Sequence, residues 1–184
     1  MKVKKVSINS LNDWKAKKNG NIFHKSSQFF SLEGVKIYSA VEREVKKWDQ
    51  PIMNQKHGGI LAILCREKKD SSIEFLLFAR KEPGDKNLKL CPSFSATQSN
   101  INRAHGGQIP PLSNIVLKRK GAKLIYSTSH NEEGARFWKK TNINLILMLD
   151  DPENKETKKN NYIWANLSQI KKLSLKKNIV NPFV

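Results

Sequence analysis

Apolar residues along the chain gather into several short runs. The strongest are ILAILCRE at 60–67 and IEFLLFAR at 73–80, which contain β-branched residues and are separated by the polar KKDSS. Two such runs around a short polar break predict a β-hairpin. QFFSLEGVKIYSA at 28–40 reads as two extended stretches hinged at Gly34, residues 122–128 as a strand, and INLILMLD at 143–150 as a buried strand. Helical spacing is rarer. Ser10 is a candidate cap for a short helix through Lys18, with Leu11 and Trp14 three apart on one face. NEEGARFWKK at 131–140 predicts a short helix with acids in its first turn. Trp164, Leu167, Ile170 and Leu173 recur at helical intervals, with Asn166 or Ser168 as the cap. Strands outnumber helices, in an α+β order.

Between these runs lie three polar segments. EPGDKNLK at 82–89 offers turn chemistry and little to bury, and DPENKETKKNN at 151–161 reads as an exposed loop. LCPSFSATQSNINRAHGGQIPP at 90–111 is dense in small hydroxyls and amides and keeps neither a period of 2 nor one of 3.6. An ordered loop around a ligand explains it better than a packed element. Trp48, Trp138 and Trp164 are read as core anchors, and no internal repeat is visible.

Composition narrows the class. At 184 residues with 38% hydrophobic content the chain can bury a core without staples. No apolar stretch reaches the 18 or so residues of a membrane-spanning helix, and the basic start is not followed by an apolar signal core, so a cytoplasmic protein with no membrane partner is expected. Cys65 and Cys91 lack metal-site spacing and read as free thiols. The net charge of +18 points at first to a phosphate-rich partner. However, 28 of the 34 basic residues are Lys and 6 are Arg, alongside 18 Asn, a pattern that compositional drift produces without selecting any contact. Nucleic acid is therefore the weakest of the partners considered.

Ordinary cofactor chemistry has no motif to support it: there is no GxGxxG, P-loop, HExxH or GxSxG, and no acidic helix of the Nudix type to hold magnesium on pyrophosphate. Among His24, His57, His105 and His130, His105 stands out because it follows Asn100 and Arg103 and precedes Gly106-Gly107 in the amide-rich segment. Arg80-Lys81-Glu82 ends an apolar strand, where alternate side chains face opposite ways, so a basic group and the acid can share one side. Each of these also has a bland reading, as a turn histidine or a solvated strand end. For Glu132-Glu133 the bland reading, acids favoured at a helix start, is the stronger one.

An ordered series of blocks resembles the NDP-hexose 2,3-dehydratases of deoxysugar biosynthesis. The series runs FHKSSQFFSLEG at 23–34, WDQPIMNQKHGG at 48–59, FARKEPG at 78–84, CPSFSATQSN at 91–100 and RAHGG at 103–107. It continues with NEEGARFWKKTNIN at 131–144, YIWANLSQIKKL at 162–173 and IVN at 179–181. The resemblance implies an α+β fold with a Nudix-like mixed sheet flanked by helices and lacking the Nudix box. It also implies a homodimer and a lyase that needs no metal or cofactor and acts on a dTDP-4-keto-6-deoxyhexose. Family members carry two such repeats in tandem. This chain resembles the N-terminal one, with residues 1–22 as a Lys/Asn-rich lead-in and 23–184 as a single repeat. It departs from the family in reading ARK for QAK, PSFSATQSN for PTVQATRSN, HNEEG for QSEQG and NIN for NRN. Gln98 thus stands where arginine is usual and His57 where an acid is.

The reaction implied needs two proton-transfer groups and an oxyanion donor. Glu82 and His105 are the candidates for base and acid and Lys81 for the enolate. Ser95, Thr97, Ser99, Asn100 and Arg103 are the candidates for positioning the substrate, with Lys81 and Arg103 able to offset the missing arginine charge. Two rivals are a non-catalytic nucleotide-sugar binder, which keeps the 91–107 segment without turnover, and a basic nucleic-acid module, which keeps only the charge.

Overall fold

A computed structural model describes residues 1–159 and 161–184. Within these, the chain forms two units, one of Lys4–Gly58 with Asn131–Thr141 and one of Met1–Val3, Gly59–His130 and Asn142–Val184.

The smaller unit is a four-stranded antiparallel sheet in the order β1 (Trp14–Ala16), β2 (Ile22–His24), β3 (Ser31–Tyr38), β4 (Lys47–Asn54). The expected helix from Ser10 is absent: a single 3-10 turn spans Ile8–Ser10, and Trp14 opens a strand. Trp14 packs on Phe30 at 4.7 Å and edge-on to His24 at 5.5 Å, so aromatic packing across the sheet overrides the weak three-residue spacing. Gly34 does not hinge β3, which runs through it opposite Pro51. Segment 131–140 is not a helix. Met53 N–H donates to the Arg136 carbonyl and Trp138 N–H to the Met53 carbonyl, tying the segment to β4 as an irregular edge. Lys140 is buried and pairs with Glu132 at 2.6 Å, its ammonium 4.4 Å from the Phe137 ring centroid. Removing either charge would strand the other away from water. Trp138 is 46% exposed and so is not a core anchor.

The larger unit is built on a mixed sheet ordered β11 (Tyr162–Asn166), β6 (Ile73–Arg80), β5 (Gly59–Glu67), β10 (Thr141–Leu149), β9 (Ala122–Asn131). The hairpin forms as expected, with β5 and β6 antiparallel from Cys65↔Phe75, while β5 and β10 are parallel from Ile60↔Ile143. One face of the sheet presents Ala62, Leu64, Leu76, Leu145, Leu147 and Leu149 to Leu112, Ile115 and Val116 at α2 (Ser113–Lys118). All of these are buried, and they form the core. The tail helix α3 (Leu167–Ser174) is capped by Asn166, whose side chain accepts from Gln169 N–H while Gln169 accepts from Asn166 N–H. Trp164 belongs to β11 and packs on the core beneath the Arg66 guanidinium.

Segment 90–111 holds more regular structure than its composition predicts. β7 (Lys89–Pro92) pairs with β6, β8 (Phe94–Thr97) pairs with β5, and α1 (Gln98–Ile101) follows directly. β5 and β6 pair at Glu67↔Ile73 and then splay, and β7 and β8 enter the fork. Ser93 between them is buried and bridges it: Leu64 N–H donates to Ser93 Oγ at 2.8 Å, and Ser93 O–H donates to the Leu76 carbonyl at 2.7 Å. Both cysteines are free and buried. Among the described residues no helix is long and apolar enough to cross a membrane. Segment 151–159 is largely exposed with a 3-10 turn at Lys155–Thr157, where Thr157 is buried; position 160 of the expected loop lies outside the described residues.

Candidate functional site

Strand directions decide where the candidate residues gather. β6 runs antiparallel to β5, so its last residue, Arg80, lies toward the end at which β5 begins. β8 is also antiparallel to β5, and Thr97 stands opposite Gly59, the first residue of β5. The loops after β6 and after β8 therefore leave from one end of one sheet. The first carries Lys81 and Glu82; the second carries Ser99, Asn100, Arg103 and His105.

That end is tight at Gly59. A Cβ there would lie 2.9 Å from the Ala96 carbonyl oxygen and 3.3 Å from Asn142 Oδ1. Gly59 N–H donates to the same Asn142 oxygen at 2.7 Å, which fixes the start of β5 against β10. Phe94 and Ala96 of β8 enter the core, so Ser95 and Thr97 take the opposite face by strand alternation. Thr97 Oγ1 and Ser99 Oγ share a hydrogen bond at 2.8 Å, and Thr97 caps α1 by accepting from Asn100 N–H. Gln98 spends its amide on Asn102 Oδ1 at 2.9 Å. Arg103 sits at φ 57° and donates from Nε to the Gly107 carbonyl, leaving an exposed guanidinium on a loop held by its own backbone. His105 is exposed on the same loop.

On the β6 side, Glu82 is about half exposed and accepts from Arg80 Nη2 at 2.8 Å. Glu82 N–H donates to Asp85 Oδ2, and Asp85 pairs with Lys89, a combination that holds the Asp85 carboxyl below its ordinary range. Arg80 Nε is buried without a hydrogen-bond partner. Beside it, burial pushes the Cys91 thiol up despite the nearby Arg80 charge. Burial likewise pushes the Tyr162 hydroxyl up to about 12. A buried N–H with no acceptor is costly, and Arg80 is a cation whose second Nη points into the same corner as Glu82. In the sequence Arg80 is only one member of the strand-end triplet Arg80-Lys81-Glu82. Its buried Nε was not legible there, because the splay of β5 and β6 that creates the corner leaves no periodic mark. Among the described residues no group of three or more His, Cys, Asp or Glu side chains is arranged to hold a metal ion.

The arrangement is thus a sheet end bearing an acid, several hydroxyls and cations on two loops. A site of this kind suits a polyoxygenated, anionic ligand and proton transfer. A family model described as NDP-hexose 2,3-dehydratase matches residues 1–183, and the chain belongs to that family. A dTDP-4-dehydro-6-deoxy-alpha-D-glucopyranose 2,3-dehydratase of Saccharopolyspora spinosa is 32% identical over 96% of this chain and 36% of its own length. The protein of the same name from Amycolatopsis orientalis is 31% identical over 97% of this chain and 38% of its own. The chain therefore spans little more than a third of the length of these relatives. Similar solved structures include a Nudix hydrolase from M. smegmatis, RenU, with TM-score 0.46 and 11% identity over 69% of this chain and 78% of that one. An Ap4A hydrolase from C. elegans has TM-score 0.40 and 14% identity over 65% and 87%.

Proposed function

We propose that the protein removes water across carbons 2 and 3 of a dTDP-4-keto-6-deoxyhexose in deoxysugar biosynthesis. The observation that carries this reading is the match of a 2,3-dehydratase family model to residues 1–183, and the site residues are consistent with it. The 4-ketone acidifies the proton on carbon 3. Glu82, with Arg80 as its ion-pair partner, takes that proton, and the electrons move into the enolate, which Lys81 stabilises. The enolate re-forms the ketone and expels the hydroxyl on carbon 2 as water, with a proton from His105. The product enol then tautomerises to a 3,4-diketo sugar. Ser95, Thr97, Ser99, Asn100 and Arg103 hold the diphosphate and sugar, Arg103 as the fork-shaped donor suited to phosphate oxygens. In this reading the chain needs no metal or cofactor and works in the cytoplasm as a homodimer, with residues 23–184 as one dehydratase repeat.

Incubating the chain with the 4-keto-6-deoxy sugar nucleotide in chelator and following product mass tests the activity. A product lighter by one water is expected. Binding without any such product would favour a nucleotide-sugar binder that has lost turnover.

A further inference from the structure

We infer that Asp85 is a positioning residue for Glu82, acting on the main chain of the base and not on the ligand, with Lys89 as the strand-borne post that anchors it. This rests on the reading of Glu82 as the proton acceptor and adds a residue which that reading does not use. Glu82 opens the connection from β6 to β7. In the run 82–88, where the other residues are exposed, Asp85 turns inward, and its side chain is 13% exposed. Its two oxygens go to different partners: Oδ1 pairs with Lys89 Nζ, and Oδ2 accepts from Glu82 N–H at 3.1 Å. Asp85 N–H donates in turn to the Glu82 carbonyl at 3.0 Å. Both main-chain groups of Glu82 are therefore held by one residue.

The local sequence explains the clamp. In Glu82-Pro83-Gly84-Asp85 the proline fixes φ near about −65° at the second position of a tight turn, and an aspartate there bonds back to the main chain. The bond to Lys89 and that from Glu82 N–H hold the Asp85 carboxyl below its ordinary range, so it accepts both as an anion. Lys89 stands directly opposite Arg80 across β7 and β6. These two cations hold Glu82 by separate routes: Arg80 binds its carboxylate at 2.8 Å, and Lys89 binds the aspartate that binds its backbone. A half-exposed glutamate on a free loop samples many rotamers, whereas a base must keep a narrow approach to its proton, and a displacement of about 1 Å can cost ~10²-fold in rate. An acid mounted at both main chain and side chain meets that requirement.

Steady-state kinetics on the 184-residue chain with the 4-keto-6-deoxy sugar nucleotide, run as a double-mutant cycle, tests the assignment. Asp85→Ala should lower kcat about 10- to 100-fold with KM within twofold, and Asp85→Asn, which keeps an oxygen for Glu82 N–H, should recover kcat to within about threefold. Lys89→Met should lower kcat in the same direction, and Lys86→Ala, an exposed neighbour, should leave it within twofold. In a Glu82→Gln background Asp85→Ala should cost less than twofold more, because the group it positions is gone, whereas an unrelated structural defect multiplies. If wild type turns over but Asp85→Ala keeps kcat within twofold, or its loss multiplies in full on Glu82→Gln, the assignment is wrong and the dehydratase reading stands. Should Asp85→Ala fail to fold, Lys89→Met in the same two backgrounds decides by the same criteria. A wild-type chain without turnover overturns the dehydratase reading and this assignment with it.

Discussion

Tyr162 shows how much a single half-buried group can register. Its ring packs on Phe78 at 4.9 Å, and burial raises its hydroxyl to about 12 from an ordinary value near 10. The folded protein holds this proton more tightly than the unfolded chain does. Its contribution to stability is therefore intact below about pH 10 and is lost as pH rises from about 10 to about 12. Chemical denaturation across that range should show a decline in stability that Tyr162→Phe makes shallower. Cys91, whose thiol is also raised by burial, should react with an alkylating reagent at pH 8 far more slowly in the folded chain than after denaturation.

At the scale of elements the fork between β5 and β6 sets the position of the site, and Ser93 closes it. Ser93→Ala leaves the Leu64 N–H and the Leu76 carbonyl short of a buried partner, which should cost roughly 1–3 kcal/mol in denaturant unfolding. Ser174→Ala, on an exposed hydroxyl, should change stability by less than about 0.5 kcal/mol. The β5–β6 hairpin and β10 were legible from sequence because nearly every position in them is apolar and bounded by polar breaks. β7, β8 and the fork were not, because KLCP and FSAT are four residues each, too short and too mixed in polarity to show a period, and their order comes from pairing with distant strands. The helix expected at 131–140 failed for a related reason. Acids before an apolar pair suit a helix start, but Met53 of β4 takes the Trp138 N–H. Of the candidate site, the placement of Lys81, Glu82, Ser99, Arg103 and His105 at one end of the sheet follows from strand direction, which the blocks of sequence do not encode. Arg80, with its buried Nε, is the addition.

For the whole molecule, β9 is one of the two terminal strands of its sheet and leaves Leu124 and Ile125 49% and 59% exposed. An apolar edge strand of this kind is a template for pairing with another chain. The homodimer of the proposed function should accordingly appear in light scattering at tens of micromolar, and Ile125→Lys should shift it toward monomer. A wild-type monomer at that concentration would count against the dimer.

Proton removal from carbon 3 by Glu82 is the step on which the functional account turns. Incubation of the chain with the 4-keto-6-deoxy sugar nucleotide in deuterated water, read by NMR, tests it most directly. The account predicts a 3,4-diketo product carrying solvent deuterium at carbon 2, formed by wild type and slowed ~10²- to 10⁴-fold by Glu82→Gln, with dTDP affinity held within a few-fold. Product formation at an unchanged rate in Glu82→Gln, or recovery of the sugar unconverted and unlabelled by wild type, would contradict it.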